Sequence, residues 1–391
     1  MNINNQRLLT SSPKAVITSL TTPVLAILTI DDQKRAFLGN RSNFIDIIRT
    51  GNSMGFIVYV LTIKKLLLNR THLQGYVYLE ETGKWQQELL PFPDVIYNRI
   101  PQREHERLPL VRAKLKACRR HPKLSMFNPN YFNKWHLFKW LRESRKTLRH
   151  IPATRRLNSV DNLKLMLAEH DHLYLKPVSG KAGQGIMTVT YIAKKSLPYR
   201  LQIQQNKRSS TYHCSTLAKL WIRIQQQRTK EPYIVQQAIK LAAYHDRKYD
   251  LRALVQKNRH GHWELSGLGA RVAGAYSITT HVPRGGKIEE PEKLLRFTFN
   301  EQRSGEILNN ARNITTVIAR QIEKGSKQTL GEMSMDLGVD TDGKLWVFEA
   351  NAKPMKFDEP HIRQKSLERI FQYAHYLMLK KKNTAEITAY N

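Results

Sequence analysis

A chain of 391 residues, 41% of them hydrophobic, is long enough for two or three domains with sizeable cores. Lys and Arg number 64 against 32 Asp and Glu, a net charge of +32 that implies attraction to polyanions. The charge is spread along the chain, with short clusters at 112–123, 142–156 and 380–382, and no zinc-finger spacing, RRM-type signature or other nucleic-acid motif accompanies it. Cys118 and Cys214 are too few and too separated for a disulfide framework, so a reducing interior, the cytoplasm, is expected. The first residues lack the apolar core of a signal peptide, and the apolar run 56–61 is far too short to span a bilayer.

In chain order, residues 1–22 read as a polar, flexible arm. A buried strand over 24–30 precedes helical spacing over 43–50 (Phe44, Ile47, Ile48) and a second strand over 56–62. Runs 75–80 and 85–90 look like a hairpin closed around Thr82-Gly83, and a strand over 95–99 follows PFPD. Strands alternating with helices predict a small α/β domain with parallel pairing over 23–125, without a GxGxxG fingerprint. Pro129 to Tyr131 mark a boundary, after which one long helix is expected over 133–150 and a short one over 161–168. A strand over 173–178, a glycine-rich loop and a strand over 186–191 come next. The basic, Gln-rich stretch 196–230 holds a helix near 215–228. Strands over 233–237, 249–256 and 263–272 precede a loop holding Gly285-Gly286, a helix over 304–323, a hairpin, and a last helix over 363–379.

The hairpin, 332–354, carries the most chemistry. Asp342-Gly343 is a strong two-residue turn signal, and a two-residue loop there sets Asp336 opposite Glu349 and Ser334 opposite Asn351. Alternation then places Met335, Leu337, Val339, Trp346, Phe348 and Ala350 on one face. The other face carries Ser334, Asp336, Asp340, Glu349 and Asn351, with Leu345 and Val347 nearer the turn. Facing carboxylates roughly 4.5–5.5 Å apart destabilise a hairpin, whereas two carboxylates and an amide oxygen form a hard-oxygen set suited to Mg²⁺. The face also fits an ordinary exposed hairpin with incidental acids. An EF-hand loop is disfavoured, because position 1 is Gly338 and both flanks read as strand.

The stretch 176–185, KPVSGKAGQG, is a strand lysine followed by a loop with Gly180, Gly183 and Gly185, and can cover a polyphosphate. It lacks P-loop order, and by itself it also reads as a flexible hairpin loop. Asp250 and Arg252 share one strand face, as a phosphate or carboxylate contact or as a surface ion pair. Arg271 and Lys134 are weaker candidates of the same kind. His170/His172 and His260/His262 have spacing compatible with a metal but no nearby third ligand.

Taken in order, Lys134, the 176–185 loop, YIVQQ, Asp250-Leu251-Arg252, Arg271 and Asp336…Glu349-Ala350-Asn351 resemble the ATP-grasp superfamily. FNKW…IPAT, LKPVSGKAGQGI and MDLGVDTDGKLWVFEANAKP are similar to the endospore coat-associated YheC/YheD family, over roughly 24–380. The resemblance implies an α/β N-terminal domain followed by an α+β ATP-grasp fold, two subdomains enclosing a nucleotide cleft, over 130–382, with a tail at 383–391. It implies ATP with Mg²⁺ or Mn²⁺. Lys134 and Lys176 would contact phosphates, Gly180, Gly183 and Gly185 would close over them, and backbone at Gln236, Gln237 and Ala238 would read adenine. Asp336, Glu349 and Asn351 would hold the metal, and Arg252 and Arg271 would act in catalysis. Some ATP-grasp ligases carry Arg where this chain has Ser334, which leaves transition-state charge to Arg252, Arg271 and metal.

The implied reaction joins a carboxylate substrate, through an acylphosphate, to an amine or thiol acceptor in a cytoplasmic setting tied to the developing endospore or its coat. The competing expectation is a structural coat-associated protein of the same fold that binds anionic polymers or coat components through its charge.

Overall fold

The computed structural model describes residues 22–180, 183–205, 208–274 and 287–389, so most of the 1–22 arm and the Gly285-Gly286 loop lie outside the described residues. Three large sheets follow one another along the chain. The first is centred on Val24–Thr29, flanked in parallel by Ile57–Thr62 and Val95–Asn98, with Ser125–Phe127 parallel beyond. The hairpin His72–Leu79 and Lys84–Pro91 adds antiparallel strands at the other edge. Val24–Thr29 is an unbroken buried run because both faces of the sheet are covered. Helix Arg41–Ser53 covers one face with Phe44, Ile47 and Ile48, and starts at Asn40, whose side chain accepts from the Asn43 N–H. Helix Pro109–Arg120, visible in the sequence only as a basic cluster, covers the other with Val111, Leu115 and Cys118.

The last helix, Pro360–Ala389, runs well beyond the expected 363–379. Its Ile370, Phe371, Ala374 and Leu377 pack into the same core as Phe44 and Ile47, so the end of the chain closes the first sheet. Asn128, at φ 54°, ties that sheet to the hairpin of Glu332–Val339 and Leu345–Asn351. Its Oδ1 accepts from the N–H groups of Gly331 (2.8 Å) and Glu332 (3.3 Å), and its Nδ2 donates to the carbonyls of Glu332 and Ala352.

The second sheet is antiparallel, ordered from Arg208–Cys214 through Tyr199–Gln205, Met187–Tyr191, His172–Pro177 and Tyr233–Gln237 to Thr154–Arg156. The hairpin made by its first two strands is absent from the sequence reading, which saw only a Gln-rich stretch. Leu201 and Ile203 point inward against Leu220 and Ile224 of helix Leu217–Gln227. The third sheet pairs Arg247–Lys257 with Trp263–Val272 on one side and Glu332–Val339 on the other, and Leu345–Asn351 follows. The 26-residue helix Glu301–Ser326 lays Ile307, Ala311, Ile318 and Ile322 against Met333, Met335, Leu337 and Val339.

The single helix expected over 133–150 is two, Lys134–Arg142 and Arg145–Leu148. The Ser144 hydroxyl accepts from the Lys146 N–H and starts a new turn, as a cap does.

Asp336 lies opposite Glu349 and Ser334 opposite Asn351, as the pattern predicts, but by another route. The loop holds three residues, not two: Asp340 N–H donates to the Lys344 carbonyl (3.0 Å), and Gly343 adopts φ +79°. This moves Val339 opposite Leu345 and Leu337 opposite Val347. A β-bulge then inserts Phe348 as an extra residue and restores the pairing at Asp336. A different loop length therefore leaves the carboxylate pair intact. The bulge also corrects the faces: Leu345 and Val347 join the buried core, while Trp346 and Phe348 stand with Glu349 on the open side. Gly338 makes room for the Phe348 ring, which a Cβ there would meet at 2.3 Å.

Candidate active site

Across the third sheet, Arg252 pairs with Asp336 and Asp336 with Glu349, which places three charged side chains in one row. In the next row Arg271 lies opposite Asp250. Arg271 is buried, forking to both Asp250 oxygens at 3.1 and 3.2 Å and reaching Asp336 at 2.9 Å. Burial alone would depress the guanidinium, but the two carboxylates hold it firmly protonated. Arg271 thus compensates the charge of Asp336.

Glu349, 24% exposed, has its own counter-ion in Lys134, at the start of helix Lys134–Arg142. Lys134 Nζ lies 3.1 Å from Glu349 and donates to the Gly180 carbonyl at 3.1 Å. That one ammonium joins the glycine loop of the second sheet to the hairpin of the third. Gly183 and Gly185 both adopt φ +70°, a backbone that side chains disfavour, and Tyr233 OH donates to the Gly185 carbonyl at 3.0 Å.

Lys176 faces the same space from the second sheet. Its Nζ donates to Gln236 Oε1 (2.7 Å), whose amide donates to Thr154 Oγ1 (2.9 Å). The rings of Tyr174 and Phe348 lie 5.2 and 5.5 Å from that ammonium. Burial first, and the nearby Lys134 charge second, push its pKa down to about 8. At Gln236 it is therefore the side chain that reaches Lys176. The N–H groups of Gln237 and Ala238 are bonded to the carbonyls of Ala153 and His172 (2.9 and 3.0 Å), so these two donors are already engaged within the fold.

Asn351 stands beside Glu349 on the open side, opposite Ser334, whose buried hydroxyl has no hydrogen-bond partner among the described residues. Two carboxylates, an amide oxygen and an orphaned hydroxyl within two adjacent registers are the donor chemistry that Mg²⁺ or Mn²⁺ takes. Asp340 is not part of this set; it accepts from the Asp342 and Lys344 N–H groups and from Trp346 Nε1, and holds the turn. The two His pairs gather no further ligands: among the described residues no group of three or more His, Cys, Asp or Glu is placed to hold a metal.

Arg252 keeps its Nε buried without a hydrogen-bond partner, and its guanidinium lies 5.0 Å from the Phe357 ring. The sequence reading missed Asp250 as the anchor of Arg271, and Phe348, whose apolar character mimics a core residue. It also missed Arg103 and Arg107, on the short helix Arg103–Arg107 beside the cleft. Their sequence context carries no periodic signal.

The architecture is that of the ATP-grasp fold. A D-alanine–D-alanine ligase from Coxiella burnetii superposes with a TM-score of 0.51 at 12% identity, covering 94% of this chain and 98% of the ligase. A D-alanyl-alanine synthetase A from Vibrio cholerae gives 0.51 at 13% identity, covering 93% and 99%. Likeness at this level establishes the fold. A family model described as YheC/D-like ATP-grasp matches residues 123–377, and the chain belongs to that family. Endospore coat-associated protein YheD of Bacillus subtilis (strain 168) is 24% identical over 356 residues, 89% of this chain and 76% of the relative. Endospore coat-associated protein YheC of the same organism is 20% identical over 282 residues, 72% and 76%. No described helix is long and apolar enough to cross a membrane.

Proposed function

We propose that this protein is an ATP-dependent ligase that activates a carboxylic acid as an acylphosphate and joins it to an amine or thiol, in association with the endospore or its coat. The observation that carries this reading is Lys134, which links the glycine-loop carbonyl at Gly180 to Glu349 through contacts of 3.1 Å each. That link brings the glycine-rich loop and the carboxylate pair to one place. Lys134 and Lys176 would bind phosphate oxygens, while the strand end at Gln236, Gln237 and Ala238 would meet the base. Mg²⁺ or Mn²⁺ held by Asp336, Glu349 and Asn351 would neutralise charge on the β- and γ-phosphates.

The substrate carboxylate oxygen attacks the γ-phosphorus, the bond to the β-phosphate oxygen breaks, and ADP departs. The acceptor's lone pair then attacks the acyl carbon, phosphate leaves, and the acceptor releases its proton. Arg252 and Arg271 would stabilise the charge that develops, and the loop over the site excludes water from the acylphosphate. No protein nucleophile is needed.

The test is ADP release across a panel of acids paired with amines and thiols. Release that requires both an acid and an acceptor supports the ligase. A nucleotide-binding protein that releases no ADP with any pair, yet binds anionic polymers through its +32 charge, would support the structural coat role instead.

A further inference from the structure

The cleft holds a pair of arginines that the nucleotide reading does not use. Helix Arg103–Arg107 belongs to the first sheet's side of the molecule, and its buried Glu106 fixes it in place. The Glu106 carboxylate accepts from Asn98 Nδ2 (3.3 Å) and the Tyr131 N–H (3.0 Å), and it pairs with buried Lys353, two residues past Asn351. The helix is thus bolted to the end of the hairpin that carries Glu349 and Asn351.

Arg103 and Arg107 are four residues apart, neighbours on one helix face. Arg103 Nη2 donates to the Phe132 carbonyl (2.6 Å), two residues before Lys134, while its Nη1 is buried with no hydrogen-bond partner among the described residues. Arg107 Nη2 reaches Ser179 Oγ of the glycine loop (3.3 Å). Burial and the neighbouring Arg107 charge both disfavour the charged Arg103, whereas Glu349 favours it. A buried guanidinium donor left empty is costly unless something fills it.

The second orphan guanidinium donor of this row, Arg252 Nε, lies beyond Asp336 at the opposite end. Arg252 and Glu349 are two strand spacings apart, roughly 10 Å, and Arg103 stands at the Glu349 end. Two unfilled guanidinium sites at opposite ends of the carboxylate pair suit one molecule with an anion at each end.

We propose that Arg103, supported by Arg107, binds a second carboxylate on the acid substrate, so that the substrate is an extended dicarboxylic acid with one carboxylate at Arg252 for activation and the other at Arg103. This rests on the ligase reading, and the experiment separates the two. The protein is first titrated with the non-hydrolysable nucleotide AMPPNP and Mg²⁺, then with pimelate or with heptanoate, which has the same length but one carboxylate.

A charge-assisted contact of this kind corresponds to about tenfold or more in affinity. Pimelate should bind about tenfold tighter than heptanoate, Arg103→Ala should erase that preference, and AMPPNP affinity should stay within about twofold. Arg103→Lys should restore part of the preference, and Arg107→Ala, an exposed position, should weaken pimelate binding in the same direction. Equal binding of the two acids to wild type overturns the inference, as does binding of neither to a protein that still binds nucleotide. Loss of nucleotide affinity in Arg103→Ala with the acid preference intact assigns the arginine to phosphate and also overturns it. A wild type that fails to bind AMPPNP removes the ligase reading and this inference together.

Discussion

Lys176 offers a quantitative handle on the cleft. Among the described residues its ammonium donates to Gln236, has two aromatic rings beside it, and lies near the Lys134 charge. Desolvation and that like charge bring its pKa down to about 8 from the ordinary lysine value of 10.5. For a base lowered in this way, the native chain sheds its proton near pH 8 while the unfolded chain keeps it up to 10.5. Native stability from this group therefore rises with pH across that window. Phosphate oxygens placed beside Nζ reverse the effect and return the proton.

Binding of Mg·ATP should take up about half a proton at pH 8 and about nine-tenths at pH 9, with little uptake at pH 7. Affinity should fall about fivefold between pH 8 and 9 and approach about tenfold per pH unit above that, since the charged lysine must be regenerated at 1.36 kcal/mol per unit. Calorimetric titrations in two buffers of different ionisation enthalpy report the uptake directly. Absence of uptake between pH 8 and 9, or the same uptake in Lys176→Met, would refute the assignment of Lys176 to a phosphate.

Two further outcomes follow from the hairpin and its attachment. Phe348→Ala removes a ring from above Lys176 without touching the Asp336–Glu349 register, so the lysine becomes better hydrated. The midpoint of proton uptake should rise above pH 8 while the melting temperature changes little, and an unchanged midpoint would deny the ring its role. Asn128→Ala leaves the Gly331 and Glu332 N–H groups and two carbonyls without their buried partner. Loss of at least about 3 kcal/mol in denaturant unfolding is expected, against roughly 0.5 kcal/mol or less for an ordinary surface change.

The Asp336–Glu349 opposition was readable because side-chain alternation and a Gly-bearing turn constrain register strongly. The loop length and the bulge were not, since one extra loop residue and one extra strand residue cancel at the carboxylates. The cancellation was visible only at Leu345, Trp346, Val347 and Phe348, whose faces swap. Strand Tyr199–Gln205 and its partner were hidden by glutamines and arginines on the outward positions, with only Leu201 and Ile203 marking the core side. Asn128 and Arg107 act through partners more than 70 residues away, as in the Arg107 contact with Ser179, and no local pattern announces such contacts. The packing of Phe371 against the first sheet is equally non-local.

One cleft that joins the glycine loop to the carboxylate pair around a nucleotide gives a thermal signature that both must share. Thermal unfolding with and without Mg·ATP, in wild type and in Glu349→Gln, tests it most directly. Stabilisation grows with ligand as RT ln(1 + [L]/Kd), about 2.7 kcal/mol at a hundredfold excess over Kd. A clear, Mg²⁺-dependent rise in the wild-type midpoint that Glu349→Gln loses is expected. Equal shifts in the two proteins, or none in either, would contradict it.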